Sequence, residues 1–262
     1  MEGCQLTVKI GLQLYTVRDD TAADFPGTLR QIAAMGYQGV EFAGYGNASA
    51  EEMRDLLKEL GLEAFGSHVS LQRLEENLDE EIAYLKTVGA SYVICPYLTA
   101  EQLSGGEAFW RGLFKKFEGF GERLRKEGLQ FAYHNHDFEF ADKIDGEFVF
   151  DSMYSSVDAD LLKVEMDIGW VQYAGQDPLA YIAKYKGRLP LLHLKDFRNG
   201  EPGARIDTVE LGEGDLALHD IIGSAKQAEV DWLIVEQDTC ANPPLESVRT
   251  SMKWLESNGY KA

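Results

Sequence analysis

Short apolar runs recur along the chain and alternate with longer amphipathic stretches. The runs predict strands at 8–15, 39–42, 63–68, 92–96, 130–136, 162–167, 189–195 and 232–237. The amphipathic stretches predict helices at 25–35, 50–61, from the third strand to Val88, and then 107–127, 148–155, 178–186, 218–227 and 245–258. Ser49 reads as an N-cap with Glu51 and Glu52 in the first turn, and Asp177 reads as the cap before Pro178. Three connections repeat one phrase, Met-Gly-Tyr-Gln-Gly-Val-Glu, Val-Gly-Ala-Ser-Tyr-Val-Ile and Glu-Gly-Leu-Gln-Phe-Ala. Each reads as a helix end, a glycine C-cap and an apolar strand, the signature of βαβ crossovers in a parallel sheet. Eight such alternations predict an α/β fold, a single (β/α)8 barrel spanning residues 1–262 as one domain.

The polar residues that close these runs carry the chemistry. Glu41, His68, His134 and His136, Asp167, His193 and Glu236 each end a strand-like segment. A parallel barrel gathers the C-terminal ends of its strands on one face, so these side chains would meet in one pocket. Residues i and i+2 of a strand share a face, which pairs His134 with His136, His193 with Lys195, and Gln13 with Tyr15. Polar pairs on apolar strands are costly to bury unless they are hydrogen-bonded or bind a metal. A lone histidine is more often a hydrogen-bonded core residue than a ligand. Four of the five histidines closing strands reverses that balance, and the fifth, His219, reads as a helix residue. Histidines and carboxylates converging there predict a divalent-metal site.

Composition narrows the partners. The length of 262 residues suits one barrel of about 250 residues. A net charge of −19 repels phosphate backbones and anionic lipid, which argues against nucleic acid and membrane as partners. Three cysteines without Cys-x-x-Cys spacing argue against a disulfide framework. The start of the chain has no signal-peptide pattern, and no apolar run approaches the roughly 18 residues of a membrane span, so a cytoplasmic location is expected. The long irregular stretches 138–147 and 196–215 follow strands and are placed to carry substrate contacts. Gly212-Glu-Gly214 is too short to call a phosphate loop.

Six segments together resemble the xylose isomerase-like TIM-barrel superfamily, within its sugar phosphate isomerase/epimerase group. They are Ile-Gly-Leu-Gln-Leu-Tyr-Thr-Val-Arg-Asp, Gly-Tyr-Gln-Gly-Val-Glu-Phe, Tyr-His-Asn-His-Asp-Phe-Glu-Phe, Met-Asp-Ile-Gly-Trp, Leu-Leu-His-Leu-Lys-Asp and Ile-Val-Glu-Gln-Asp, and they cover nearly the whole chain. The resemblance implies a metal-dependent sugar isomerase or epimerase working through an enediolate on a keto-sugar or polyol. It implies one divalent ion, manganese first and cobalt or zinc next, held by His134, Asp167, His193 and Glu236, with His136 as the alternative ligand from the fifth strand. His134 stands where related epimerases have a glutamate, which disturbs their two-glutamate mechanism. That histidine-rich strand resembles the inosose dehydratase-like branch, so a lyase or dehydratase acting on an inosose or 3-keto-glycoside is the alternative.

The same resemblance makes Glu236 the leading acid/base residue, with His136, Glu41 and Glu139 as other candidates. His68, Lys195, Trp170, Tyr15 and Gln13 are the expected substrate contacts. Lys195 has a competing reading as a partner of Asp196, and Glu41 as a partner of Lys195 or Arg18. A homo-oligomer is common among such relatives. An endonuclease of the same barrel class would need a basic surface and three metals, and this chain supplies neither. A non-catalytic sugar-binding barrel would show Asp167 or Glu236 turned away from the pocket.

Overall fold

The computed structural model describes residues 8–198 and 207–260. Eight parallel strands close a barrel: β1 (Lys9–Gln13), β2 (Gly39–Phe42), β3 (Glu63–His68), β4 (Tyr92–Cys95), β5 (Gln130–His134), β6 (Lys163–Asp167), β7 (Leu191–Leu194) and β8 (Trp232–Val235). Each strand hydrogen-bonds its sequence neighbours, and β8 pairs with β1 to complete the ring. The helices occupy the crossovers outside it. The glycine phrases act as expected: Gly36 and Gly89 cap their helices in the left-handed region, and Gly128 follows the C-cap of Gly106–Lys126 at φ +80°. Ser49 forms a capping box with Glu52, and Asp177 caps the helix Pro178–Lys184.

Packing divides into two shells. Phe65, Tyr92, Ile94, Ala132, Leu191, Trp232 and Ile234 fill the lower barrel interior, while a larger apolar layer lies between strands and helices. Alternation then dictates the rest. The residues that follow the inward apolar ones on β5, β7 and β8 are His134, His193 and Glu236, so the upper interior is polar. Gly66 makes room for one of these groups, because a Cβ there would lie 2.8 Å from Ile94 Cδ1 and 3.1 Å from Glu41 Oε1.

Several strands end earlier than the sequence suggests. The run at 8–15 stops at Gln13 and passes into a 3₁₀ turn, Leu14–Val17, which Gln13 caps. Gln13 and Tyr15 therefore do not share a strand face. His136, Lys195 and Glu236 likewise lie just beyond their strands. The third helical stretch is two helices, Leu71–Glu76 and Leu78–Val88, and short helices Arg18–Ala23, Ala100–Leu103 and Ile168–Tyr173 are additional. The irregular stretches hold short hairpins, Lys143–Ile144 with Glu147–Phe148 and Asp196–Arg198 with Asp207–Val209. Residues 199–206 of the second loop, and Cys4, lie outside the described residues. No described helix is long and apolar enough to cross a membrane.

Candidate metal centre

At the C-terminal end of the barrel, adjacent strands present ionisable side chains in register. Asp167 of β6 stands opposite His193 of β7, and Glu165 opposite His134 of β5. Glu41, Glu165, Asp167 and His193 have no exposed surface, and His134, Lys195 and Glu236 are also buried. Such burial is tolerable only because the groups face one another. His193 is the hub: its Nδ1 lies 2.8 Å from Glu236 Oε2 and its Nε2 lies 2.9 Å from Glu41 Oε2. His134 Nδ1 is 3.0 Å from Glu165 Oε1, and its Nε2 is 3.8 Å from Asp167 Oδ2. His68 Nε2 is 2.7 Å from Glu165 Oε1.

Lys195 brings a permanent positive charge into the cluster. Its Nζ lies 2.8 Å from Asp167 Oδ2, 3.1 Å from Glu236 Oε2 and 2.8 Å from Asp238 Oδ2. It does not pair with Asp196, whose carboxylate accepts the backbone N–H groups of Phe197, Gly212, Gly214 and Leu216. Glu41 pairs with neither Lys195 nor Arg18. Gln13 Nε2 donates to it at 2.7 Å, and His68 and His193 complete its surroundings. Both ends of the Gln13 amide are thus engaged within the protein, since its oxygen accepts the Tyr15 N–H.

These contacts set the protonation pattern. Burial works against a charged His68, yet Glu41 and Glu165 outweigh it and raise its pKa to about 10. His193 is likewise driven well above the usual range, against burial, by Glu165 and Glu236. Glu236 would be raised by burial, but Lys195 and His193 hold it well below the carboxylate range. His136 goes the other way: burial, reinforced by Lys195, lowers it to about 3. Burial thus favours the uncharged imidazole, and its Nδ1 is buried without a hydrogen-bond partner.

A cavity of about 470 Å³ opens above the cluster, lined by Tyr15, His68, Tyr97, His134, His136 and Glu236 among others. Tyr15 and Tyr97 are its exposed aromatics. Trp170 is set back behind it, 5.4 Å from the His136 ring and with Lys195 Nζ 5.3 Å over its own ring. Glu139 is buried beneath the cavity, accepting the Tyr133 hydroxyl and the His136 N–H. His219 lies far from the cluster in the helix Leu218–Gln227, against Tyr260.

Of the residues singled out in the sequence, His134, Asp167, His193 and Glu236 do converge, with their ligand atoms within 4.8 Å of one another. His68, His134, Glu165 and His193 form a second group meeting the same limit. Glu165 is absent from the sequence reading, although alternation from Asp167 places it on the same face. Asp238 and Tyr97 are also additions from the structure. Donor type and spacing fit a divalent ion of the Mn, Co or Zn class.

Comparison with known proteins agrees with this architecture. The model of the xylose isomerase-like TIM barrel family matches residues 29–258. An inosose dehydratase of Mesomycoplasma hyopneumoniae is 26% identical over 278 aligned residues, covering 89% of this chain and 88% of that protein. An inosose dehydratase of Clostridium beijerinckii is 25% identical, with 66% and 64% covered. Among solved structures, a sugar phosphate isomerase/epimerase of Parabacteroides distasonis superposes with a TM-score of 0.81 at 21% identity, covering 97% of this chain and all of that one. The IOLI protein, solved with a bound zinc atom, gives 0.79 at 14% identity, with 97% and 99% covered.

Proposed function

The chain belongs to the xylose isomerase-like TIM barrel family, and from that premise we propose that it is a metal-dependent lyase removing water or an alcohol from a keto-sugar or keto-polyol. The carrying observation is His136, a neutral imidazole lining the cavity with a buried, unpartnered Nδ1. Its position beside His134, Asp167, His193 and Glu236 gives a base next to a metal-ligand set. A bound divalent ion would supply a Lewis acid that polarises the substrate carbonyl and stabilises negative charge developing beside it. His136 takes the α-proton on its imidazole and, once protonated, passes it to the leaving oxygen on the same face. Negative charge developing on the substrate offsets the burial and the Lys195 charge that disfavour that imidazolium. Lys195 fixes the Asp167 carboxylate, and Lys195 with His193 fixes that of Glu236. Tyr15 and Tyr97 offer apolar faces for a sugar ring at the mouth. The inosose dehydratase relatives support this reading, as does the histidine on β5.

A second reading is an isomerase or epimerase. It draws support from Glu236, a carboxylate that also lines the cavity and could exchange the proton with His136 acting from another direction. Incubation of the Mn-loaded protein with inosose and 3-keto-sugars in D2O separates the two. Loss of water or aglycone with loss of activity in His136→Gln supports the lyase. Deuterium incorporation at unchanged composition, abolished in Glu236→Gln, would establish the epimerase instead.

A further inference from the structure

We propose a second divalent-cation site, one layer deeper than the first, formed by His68, His134, Glu165 and His193 with Glu41 at its edge. It rests on the reading above only in sharing His134 and His193. Three ring nitrogens converge on Glu165 Oε1, at 2.7 Å from His68 Nε2, 3.0 Å from His134 Nδ1 and 3.2 Å from His193 Nε2. Glu41 Oε2 lies 2.9 Å from His193 Nε2 and 3.2 Å from His68 Nε2. A tetrahedral ion with bonds of about 2.0–2.2 Å needs ligand atoms roughly 3.3–3.6 Å apart. Ligand atoms already within 4.8 Å of one another reach that spacing by small side-chain rotations.

The two sites do not compete for atoms. The outer set uses His193 Nδ1 and His134 Nε2, beside Glu236 and Asp167. The inner set uses His193 Nε2 and His134 Nδ1. With both sites filled, His134 and His193 would each be held at both ring nitrogens and would release their ring N–H protons to solvent.

Two further observations point to a ligand. Glu41 Oε1 and Glu165 Oε2 are buried and have no hydrogen-bond partner, and neither residue has any exposed surface. Among the described residues, no lysine or arginine pairs with either carboxylate; their ionic contacts are all to histidine. The outer carboxylates, by contrast, already have Lys195. Histidine protons are thus the only counter-charge Glu41 and Glu165 have among the described residues, and one divalent cation would take their place. Imidazole nitrogens with a carboxylate are donors suited to Zn²⁺ or Co²⁺.

The test is metal stoichiometry of the full chain, stripped with EDTA, loaded with Zn²⁺, desalted and measured by plasma mass spectrometry, with circular dichroism to verify folding. Two equivalents are expected in the wild type and one each in His68→Gln, Glu165→Gln and Asp167→Asn. Wild-type stoichiometry in both His68→Gln and Glu165→Gln overturns the inner site. A single equivalent in the wild type, lost in Asp167→Asn and kept in His68→Gln, also overturns it while leaving the outer ligand set intact. Loss in His68→Gln with full retention in Asp167→Asn upholds the inner site and counts against the outer set. Co²⁺ titration of the wild type, followed by visible absorption, needs no variant: an endpoint at two equivalents supports the proposal and an endpoint at one overturns it.

Discussion

Replacing Lys195 with methionine tests the charge balance of the site in two directions at once. The side chain is buried, and its ammonium sits about 3 Å from three carboxylates, at 2.8 Å, 3.1 Å and 2.8 Å. At an effective dielectric constant of about 20, each contact is worth roughly 5–6 kcal/mol of gross attraction. Much of that is offset by the cost of taking the charges out of water. Removing one partner of a buried ion pair costs about 3–5 kcal/mol net, since the carboxylates stay behind uncompensated. For a chain of this size that is a fall in Tm of roughly 6–20 °C in EDTA. The loss should shrink towards pH 5, because carboxylates deprived of their cation take up protons more readily. Affinity for Mn²⁺ should move the other way and tighten at least tenfold, about 1.4 kcal/mol, once a competing positive charge is gone. Urea denaturation with and without Mn²⁺, and calorimetric titration of the metal, measure both. A stability loss under 1 kcal/mol, or weaker Mn²⁺ binding in Lys195→Met, would refute the assignment of Lys195 as the counter-ion of Asp167 and Glu236.

Three other outcomes are expected. His193→Ala should lower metal content, since one ring serves both groups of ligands; unchanged stoichiometry on elemental analysis removes it from the set. Glu139 is raised to about 8 because burial outweighs the hydrogen bonds it accepts. An acid raised on folding stabilises the protein fully below its unfolded pKa, and that contribution is lost as pH rises through the folded value. Wild type should therefore lose stability relative to Glu139→Gln between about pH 4.5 and pH 8, by up to about 1.4 kcal/mol per pH unit. Parallel pH–Tm curves for the two proteins would contradict this. Asp196→Ala should destabilise by about 3–5 kcal/mol, because four backbone N–H groups lose their acceptor, and urea titration gives the value.

The barrel was legible in the sequence because apolar runs, glycine caps and strand alternation all encode local geometry. Strand ends were not, since they depend on how neighbours pair around the closed ring. That is why Tyr15 leaves β1 after Gln13, and why His136 and Lys195 fall past their strands. Glu165 could have been found: Glu-Met-Asp places it on the face of Asp167. Adjacent residues of an extended chain point to opposite sides, and that also separates Lys195 from Asp196. The partners of Glu41 could not be read, because they come from β1, β3 and β7 and meet only across the barrel.

The Asp196 cradle has a consequence for anion binding at the top of the barrel. In barrels of this architecture, the loops following strands seven and eight are a frequent seat for phosphate. Here the loop after β7 folds its own carboxylate into a ring of amides, at 2.9–3.2 Å from four N–H groups. The anion is part of the polypeptide, and it is not exchanged with solvent. A phosphate arriving at this loop would find these donors already taken. Added inorganic phosphate should consequently find no free donors at this loop, and turnover unchanged by millimolar phosphate is the expected result.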